Sequence, residues 1–115
     1  MENTLVYIAK LVGIKSDQVK RAAAAIMNKC DLTAHAKTKA GALSGGNKRK
    51  LCLAMALMGR AKIIYIDEAS AGVDPAARRA MWRAIKSEGK NSAVVITTHA
   101  MEEAEALAQK LGIMV

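Results

Sequence analysis

Apolar residues recur at helical spacing in the first half of the chain. One stripe covers residues 5–12, a second covers 19–30, and a third begins after Ser44 and continues to about residue 58. Apolar residues three and four positions apart lie on one face of an α-helix, so each stripe predicts an amphipathic helix. Ser16 is the predicted N-cap of the second helix. The polar, irregular residues 31–41 are predicted to be a connection.

The pattern changes in the second half. Residues 62–67 and 92–97 are short runs rich in apolar and β-branched residues, and 112–115 is a third run of this kind. Continuous apolar runs are typical of parallel strands buried on both faces. Asp74 followed by proline predicts a helix start between the first two strands, and residues 101–111 predict another helix. The predicted fold is α/β: a helical half, then strand, helix, strand, helix, strand, as in part of an open sheet.

Charge divides the chain in the same way. The 115 residues carry a net charge of +8, and residues 1–62 hold 12 Lys and Arg against 3 Asp and Glu, whereas 63–115 hold 6 against 7. The basic half indicates an anionic partner such as phosphate, RNA or a membrane surface; the alternative is a solvated face with no specific partner. Cys30 and Cys52 are predicted to be small buried residues, with no disulfide or metal role.

Ser44, two glycines and Asn47 precede the third helix. Unpaired N–H groups at a helix start bind anions, and glycines allow a phosphate to approach the backbone; the alternative is a simple serine cap. The stretch is not a Walker A loop, which requires G-x-x-x-x-G-K-[ST] after a strand. Gly41 and Gly46 have the required separation, but Asn47 takes the lysine position and Lys48 the Ser/Thr position.

Acidic residues and a histidine follow the two predicted strands. Asp67 and Glu68 end the first run, and His99 follows the second. Such carboxylates can hold Mg²⁺ and orient a water molecule, although a helix cap or surface charge would explain them equally well. His99 can contact a transferred phosphate, but a lone histidine is more often structural. His35 is predicted to lie on the surface.

Taken in order, these motifs resemble the second half of the nucleotide-binding domain of an ABC ATPase. Residues 43–47 resemble the ABC signature motif, Ile63–Asp67 the Walker B strand, Glu68 the catalytic glutamate, 72–75 the D-loop and His99 the switch histidine. The runs SGGNKRKL, VDPAARRAMW and THAMEEAEAL are similar to the A subfamily of lipid-exporter-like transporters. The resemblance covers residues 2–115 and is weaker in the first 35.

The resemblance implies the C-terminal part of a P-loop NTPase domain. Residues 1–42 would be the helical subdomain facing the membrane domains, and 43–115 the part of the RecA-like core with the signature, Walker B, D-loop and H-loop motifs. No Walker A loop or Q-loop is recognised, so we expect an excised domain, a partial domain or a truncated product. Ala69 and Ser70 stand where the family usually has Pro-Thr, which could loosen the turn that places Glu68.

The implied cofactors are ATP and Mg²⁺. The implied site residues are Ser44, Gly45, Gly46 and Asn47 for the γ-phosphate of ATP held by an opposite domain, Asp67 for Mg²⁺, Glu68 for the attacking water, His99 for the γ-phosphate, and Asp74 for signalling across the interface.

The implied partners are a second nucleotide-binding domain arranged head to tail, transmembrane domains and the missing N-terminal half of the same domain, with no direct contact to nucleic acid. The resemblance implies lipid transport driven from the cytoplasmic face of a membrane. We expect the isolated chain to be inactive and marginally stable. Two alternatives stay open: a non-transport ABC ATPase acting on nucleic acid or ribosomes, and a basic interaction module with vestigial motifs.

Overall fold

The computed structural model describes residues 1–114, where the predicted order of helices and strands is found up to the last strand. The helical half has two short 3₁₀ turns, Thr33–His35 and Ala40–Ala42, in the predicted connection. The regular elements of the described chain are α1 (Glu2–Leu11), α2 (Val19–Lys29), α3 (Gly45–Met58), β1 (Ile63–Asp67), α4 (Pro75–Glu88), β2 (Ala93–Thr97) and α5 (Met101–Leu107).

The two strands pair in parallel, and α4 connects them. The register runs from Ile63 opposite Ala93 to Asp67 opposite Thr97. A parallel pair requires a crossover connection, which the 14-residue helix α4 supplies. The register therefore places the residues that follow both strands at the same edge of the sheet.

Strand β1 is buried on one face and β2 is half-buried on the same face, so the prediction of burial on both faces is wrong. Ile64 and Ile66 of β1 are buried, whereas Ile63 and Tyr65 are 54% and 77% exposed. Val95 of β2 lies 48% exposed. The reason is that the buried core of the described chain contacts one face of the sheet, and successive side chains of a strand point to opposite faces.

Small residues allow the helices to pack closely around one core. Helix α3 packs against α1, α2 and α4, and α2 also contacts α4. Ala9, Ala23 and Ala54 are fully buried where the helices meet. Alanine at these positions brings helix axes near each other, which compensates for the absence of phenylalanine in the sequence.

Several predicted element boundaries are wrong. Ser16 does not cap α2, because residues 15–18 form a turn in which the N–H groups of Gln18 and Val19 both donate to the Lys15 carbonyl. Helix α5 ends at Leu107 instead of residue 111, since Ala108 has extended backbone angles. Residues 112–114 do not form the predicted third strand, and the final residue of that run lies outside the described residues.

Two predictions about exposure are also corrected, one for Cys52 and one for His35. Cys52 is exposed on α3, whereas Cys30 is buried as predicted. His35 is half-buried and contacts Asn47, so it is not a simple surface residue. Cys52 is predicted to be buried because it lies among apolar helical neighbours, and His35 is predicted to lie on the surface because it lies in a polar connection. In both cases contacts with residues distant in the sequence decide the exposure.

None of the helices within residues 1–114 has the length and apolar character needed to cross a membrane.

Candidate functional site

The serine–glycine loop (residues 43–47) leads into the start of α3. Ser44 is the N-cap, with extended backbone angles, and its hydroxyl accepts a hydrogen bond from the Asn47 N–H at 3.3 Å. The Lys48 N–H donates to the Ser44 carbonyl at 2.8 Å and closes the first turn. The predicted helix start at Ser44 is confirmed, and the serine cap, the alternative to anion binding, is present. The N–H groups of Gly45 and Gly46 lie in the first turn, where no helical carbonyl accepts from them. They can therefore donate to a bound anion.

Packing within the chain does not demand both glycines. A Cβ atom added at Gly45 would meet no heavy atom within 4 Å, and one added at Gly46 would meet only the Val73 side chain, at 3.9 Å. Neither glycine has a left-handed backbone that would exclude other residues. The space beside these glycines is therefore free for a ligand to approach the backbone closely.

The acidic turn (residues 67–71) follows β1 at the carboxyl edge of the sheet. The Thr97 hydroxyl donates a hydrogen bond to Asp67 Oδ1, and the Glu68 N–H donates to the Thr97 carbonyl at 3.0 Å. Glu68 has a φ of +44°, a left-handed conformation that is uncommon outside glycine. The strand end thus fixes Asp67, and the unusual backbone angle then turns Glu68 away from the strand direction.

Glu68 and His99 meet at this edge. His99 Nδ1 lies 3.1 Å from Glu68 Oε1, with the two side chains 72% and 51% exposed. Both border a small cleft of about 70 Å³, together with residues of the 70–72 segment and Arg78. A water molecule takes about 30 Å³, so this cleft is far too small to enclose a nucleotide. The pair can act on a phosphate or a water only if most of the ligand is held elsewhere.

Asp74 serves as the N-cap of α4. Its Oδ1 accepts hydrogen bonds from the N–H groups of Ala76 at 3.1 Å and Ala77 at 3.0 Å. The Ala77 N–H is the main cause that lowers the pKa of the Asp74 carboxyl, with that of Ala76 adding to it. The predicted helix start is confirmed, and the carboxylate is ionised and directed at its own helix.

A buried carboxylate that sequence reasoning missed lies on α5 beside Trp82. Glu103 is 2% exposed, and its Oε1 accepts a hydrogen bond from Trp82 Nε1 at 2.9 Å. Burial by itself raises the pKa of Glu103, but the hydroxyls of Thr98 and Ser70, the Trp82 N–H and the Arg78 cation outweigh burial and leave the pKa below its ordinary value. Oε2 receives no hydrogen bond of ordinary geometry from the described residues. Helix α5 contains three glutamates, and the sequence gave no signal that one of them is buried.

His35 and Arg49 also contact predicted site residues, although the sequence did not point to either of them. His35 Nε2 lies 3.0 Å from the Asn47 amide nitrogen. Because an amide nitrogen only donates, the ring nitrogen is the acceptor in this contact. Arg49 Nη1 donates to the Glu68 carbonyl at 2.9 Å. A histidine in a polar connection and an arginine within a basic run gave no sequence signal for these contacts.

The predicted residues fall into three groups in the structure. Asp67, Glu68 and His99 lie together at the carboxyl edge of the sheet, the serine–glycine loop begins α3, and Asp74 begins α4. Within residues 1–114, no three His, Cys, Asp or Glu side chains converge as a metal-binding group. Magnesium often takes only one or two protein carboxylates and completes its shell with water and substrate phosphates. Asp67 with the Thr97 hydroxyl fits such a partial site.

Comparison with known proteins identifies the group of proteins that this chain resembles. A family model described as ABC transporter matches residues 2–71. The chain is 42% identical over 113 residues to ABC transporter A family member 4 of Arabidopsis thaliana, which covers 96% of this chain and 12% of that protein. It is 41% identical over 115 residues to ABC transporter A family member 5 of Dictyostelium discoideum, covering 99% of this chain and 7% of that protein.

Solved structures show the same fold. An ATP binding subunit of an ABC transporter superposes with a TM-score of 0.72 at 22% identity, over 88% of this chain and 44% of that one. An inward-facing putative metal-chelate type ABC transporter gives a TM-score of 0.71 at 24% identity, over 90% and 45%. The described chain therefore corresponds to a little under half of each of these structures, and to a far smaller share of the curated relatives.

Proposed function

The chain belongs to the ABC transporter family, and from that premise we propose that it supplies the phosphate-sensing and water-activating part of an ATP-hydrolysing domain. The expected resemblance to the A subfamily is confirmed by the Arabidopsis and Dictyostelium relatives. The observation that carries the proposal is the contact of Glu68 with His99, 3.1 Å apart at the carboxyl edge of a parallel sheet.

Glu68 and His99 are proposed to act on the attacking water and the γ-phosphate. A carboxylate oxygen of Glu68 would accept a hydrogen bond from water and orient it, and a ring nitrogen of His99 would donate to a phosphate oxygen. Phosphoryl transfer depends on positioning and on neutralising developing charge, so two groups held at one strand edge suit that task. Bound Mg²⁺ would supply positive charge at the phosphates, with Asp67 as its ligand from this chain.

The serine–glycine loop is proposed to bind the γ-phosphate of ATP held by a second domain arranged head to tail. Ser44 offers a hydroxyl, the backbone of Gly45 and Gly46 offers N–H groups, and Asn47 offers an amide. Open space beside both glycines supports this assignment. Asp74, whose carboxylate caps α4, is proposed to take part in signalling across that interface through the position of the helix start.

The exposed face of the sheet supports a further partner, the remaining part of the same nucleotide-binding domain. Ile63, Tyr65 and Val95 form an apolar face that is 48–77% exposed. Apolar strand faces of this kind are normally covered by other elements of an α/β domain. The boundary between a helical subdomain at 1–42 and a core part at 43–115 remains a prediction. We propose that the whole protein works at the cytoplasmic face of a membrane, with transmembrane domains as partners.

Lipid translocation is the proposed use of the hydrolysis energy, on the basis of the subfamily resemblance. The A family relatives favour this transporter function over an ATPase acting on nucleic acid or ribosomes. We also propose that the 115 residues alone do not hydrolyse ATP, because the sequence has no Walker A loop whose backbone and lysine would hold the β- and γ-phosphates. Magnesium-dependent turnover by the purified chain, abolished in Glu68→Gln, would contradict that.

A chimera tests the catalytic roles directly. Residues 1–115 would replace the matching segment of the Arabidopsis relative's nucleotide-binding domain, and ATP binding and hydrolysis would be measured separately. Glu68→Gln is expected to abolish hydrolysis while ATP binding is retained, and His99→Ala to lower hydrolysis at least tenfold. Glu102→Gln, at an exposed position of α5, is the matched control. Full hydrolysis in Glu68→Gln would refute the assignment of the water-activating carboxylate.

A further inference from the structure

Arg49 connects the serine–glycine loop to the acidic turn. It lies in the first turns of α3, two residues after Asn47, and its guanidinium reaches the main chain that follows β1. Arg49 Nη1 donates to the Glu68 carbonyl at 2.9 Å and lies 3.5 Å from the Ala69 carbonyl. A charged donor makes a stronger hydrogen bond than a neutral one, and the planar guanidinium can address two neighbouring acceptors.

The contacted backbone is one that needs support. Glu68 has a φ of +44°, which a residue with a Cβ atom adopts at a cost unless its surroundings hold it. Its N–H donates to the Thr97 carbonyl at 3.0 Å, and its carbonyl accepts from the Ala71 N–H at 3.1 Å. These two hydrogen bonds attach Glu68 to β2 and to its own turn. The Arg49 contact adds an attachment to a third element, the start of α3.

We propose that Arg49 is a positioning residue that holds the Glu68 backbone in its left-handed conformation and couples it to the serine–glycine loop. The functional consequence rests on the proposed role of Glu68 in orienting water. Arg49 itself touches no reacting group; it acts through the Glu68 carbonyl. Because Asn47 and Arg49 are neighbours at the start of one helix, a shift of the loop on meeting a phosphate would move the guanidinium and, with it, the main chain that carries Glu68.

Amide hydrogen exchange in the 115-residue chain tests this positioning role without any nucleotide. The Ala71 N–H reports the turn, because its acceptor is the Glu68 carbonyl. The Ala23 N–H, in the buried part of α2, reports the fold as a whole. Exchange would be compared by NMR in the wild type, Arg49→Ala, Arg49→Lys and Lys48→Ala. Lys48 is the matched control, since it is an exposed cation beside Arg49 for which residues 1–114 provide no side-chain hydrogen bond or ion pair.

In Arg49→Ala we expect about tenfold faster exchange at Ala71, because a charge-assisted hydrogen bond to the turn is removed, with exchange at Ala23 unchanged. Arg49→Lys keeps one cationic donor and should restore part of the protection, and Lys48→Ala should leave it intact. Unchanged exchange at Ala71 in Arg49→Ala would overturn the proposal. Equal acceleration at Ala23, or an unfolded variant, would also overturn it, because Arg49 would then support the fold and not the turn.

This outcome is independent of the catalytic assignment. If the exchange pattern appears but Glu68→Gln leaves hydrolysis intact in the chimera, Arg49 positions a turn whose glutamate is not the water-activating group. If Glu68→Gln abolishes hydrolysis but exchange at Ala71 does not respond to Arg49, the catalytic role stands and the positioning role fails.

Discussion

Replacement of Glu103 should destabilise the chain far more than replacement of its neighbour Glu102. Glu103 is 2% exposed and accepts a hydrogen bond from the indole N–H of Trp82, whereas the Glu102 side chain is 81% exposed and lies 3.8 Å from Arg78. Glu103→Ala removes the charged acceptor and leaves the Trp82 N–H, and part of the Arg78 charge, without a partner. Both residues lie in α5 and both are glutamates, so the difference in unfolding free energy between the two variants reports the effect of burial and of the Trp82 hydrogen bond.

The expected magnitude follows from the hydrogen bond that the substitution removes. A hydrogen bond to a charged group contributes about 1.5–3 kcal/mol, and a buried donor left alone costs a similar amount. We therefore expect Glu103→Ala to lower the free energy of unfolding by about 2–3 kcal/mol, and Glu103→Gln by about 1 kcal/mol, since an amide oxygen can still accept from Trp82. An exposed ion pair contributes little, so Glu102→Ala should change the free energy by less than about 0.5 kcal/mol.

Urea denaturation followed by tryptophan fluorescence is the assay, because Trp82 is the only tryptophan of the chain and reports its own environment. The effect should depend on pH. The pKa of Glu103 is lower in the folded chain, so its stabilising contribution is present above the ordinary pKa of 4.5 and is lost as the pH falls through the lower folded value. Equal midpoints for Glu103→Ala and Glu102→Ala at neutral pH would refute the reasoning.

Three further outcomes are expected. Asp74→Ala should lower the melting temperature measured by circular dichroism at pH 7. The difference from the wild type should shrink as the pH falls below 3.8 and through the lower pKa of the folded chain, because the Asp74 carboxyl is then protonated. An unchanged difference at acid pH would contradict this. Ser44→Ala should reduce the free energy of unfolding by about 0.5–2 kcal/mol in urea titrations, with Ser44→Gly affected less. A thiol reagent should label Cys52 rapidly in the native chain and Cys30 only after denaturation. Burial raises the pKa of the Cys30 thiol to about 12 and excludes the reagent. Rapid labelling of both cysteines would contradict the buried position of Cys30.

Local sequence signals predicted those parts of the fold that depend on nearby residues. Ser44 before two glycines and Asp74 before proline both mark helix starts, and the structure has α3 and α4 beginning there. Helix caps are formed by hydrogen bonds spanning two or three residues, so the residues responsible are visible together in the sequence. The strand positions were predicted for a similar reason, since short β-branched runs favour extended backbone.

Burial was the part that local patterns predicted poorly. Tyr65 and Ile63 fit the pattern of a doubly buried strand, yet they lie on an uncovered face. Cys52 fits an apolar stripe, but it lies on the side of α3 that the neighbouring helices leave exposed. Whether a face is covered depends on which other elements pack there, and that information is distributed over the whole chain. The same limit hid Glu103, because its internal position follows from the path of α5 beside Trp82.

The same distinction between local signals and packing applies to the candidate site. The proximity of Asp67, Glu68 and His99 follows from the strand assignments, because the carboxyl ends of parallel strands meet at one edge, whereas their roles are implied by the family resemblance. Arg49 and His35 could not be predicted, since each contacts a residue 12 or more positions away through a helix start whose orientation is set by packing. These two contacts attach the serine–glycine loop to the residues around His35 on one side and to the acidic turn on the other. The structure thus adds a hydrogen-bonded link between α3 and the acidic turn, and exchange at Ala71 in the Arg49 variants measures how much that link stabilises the turn.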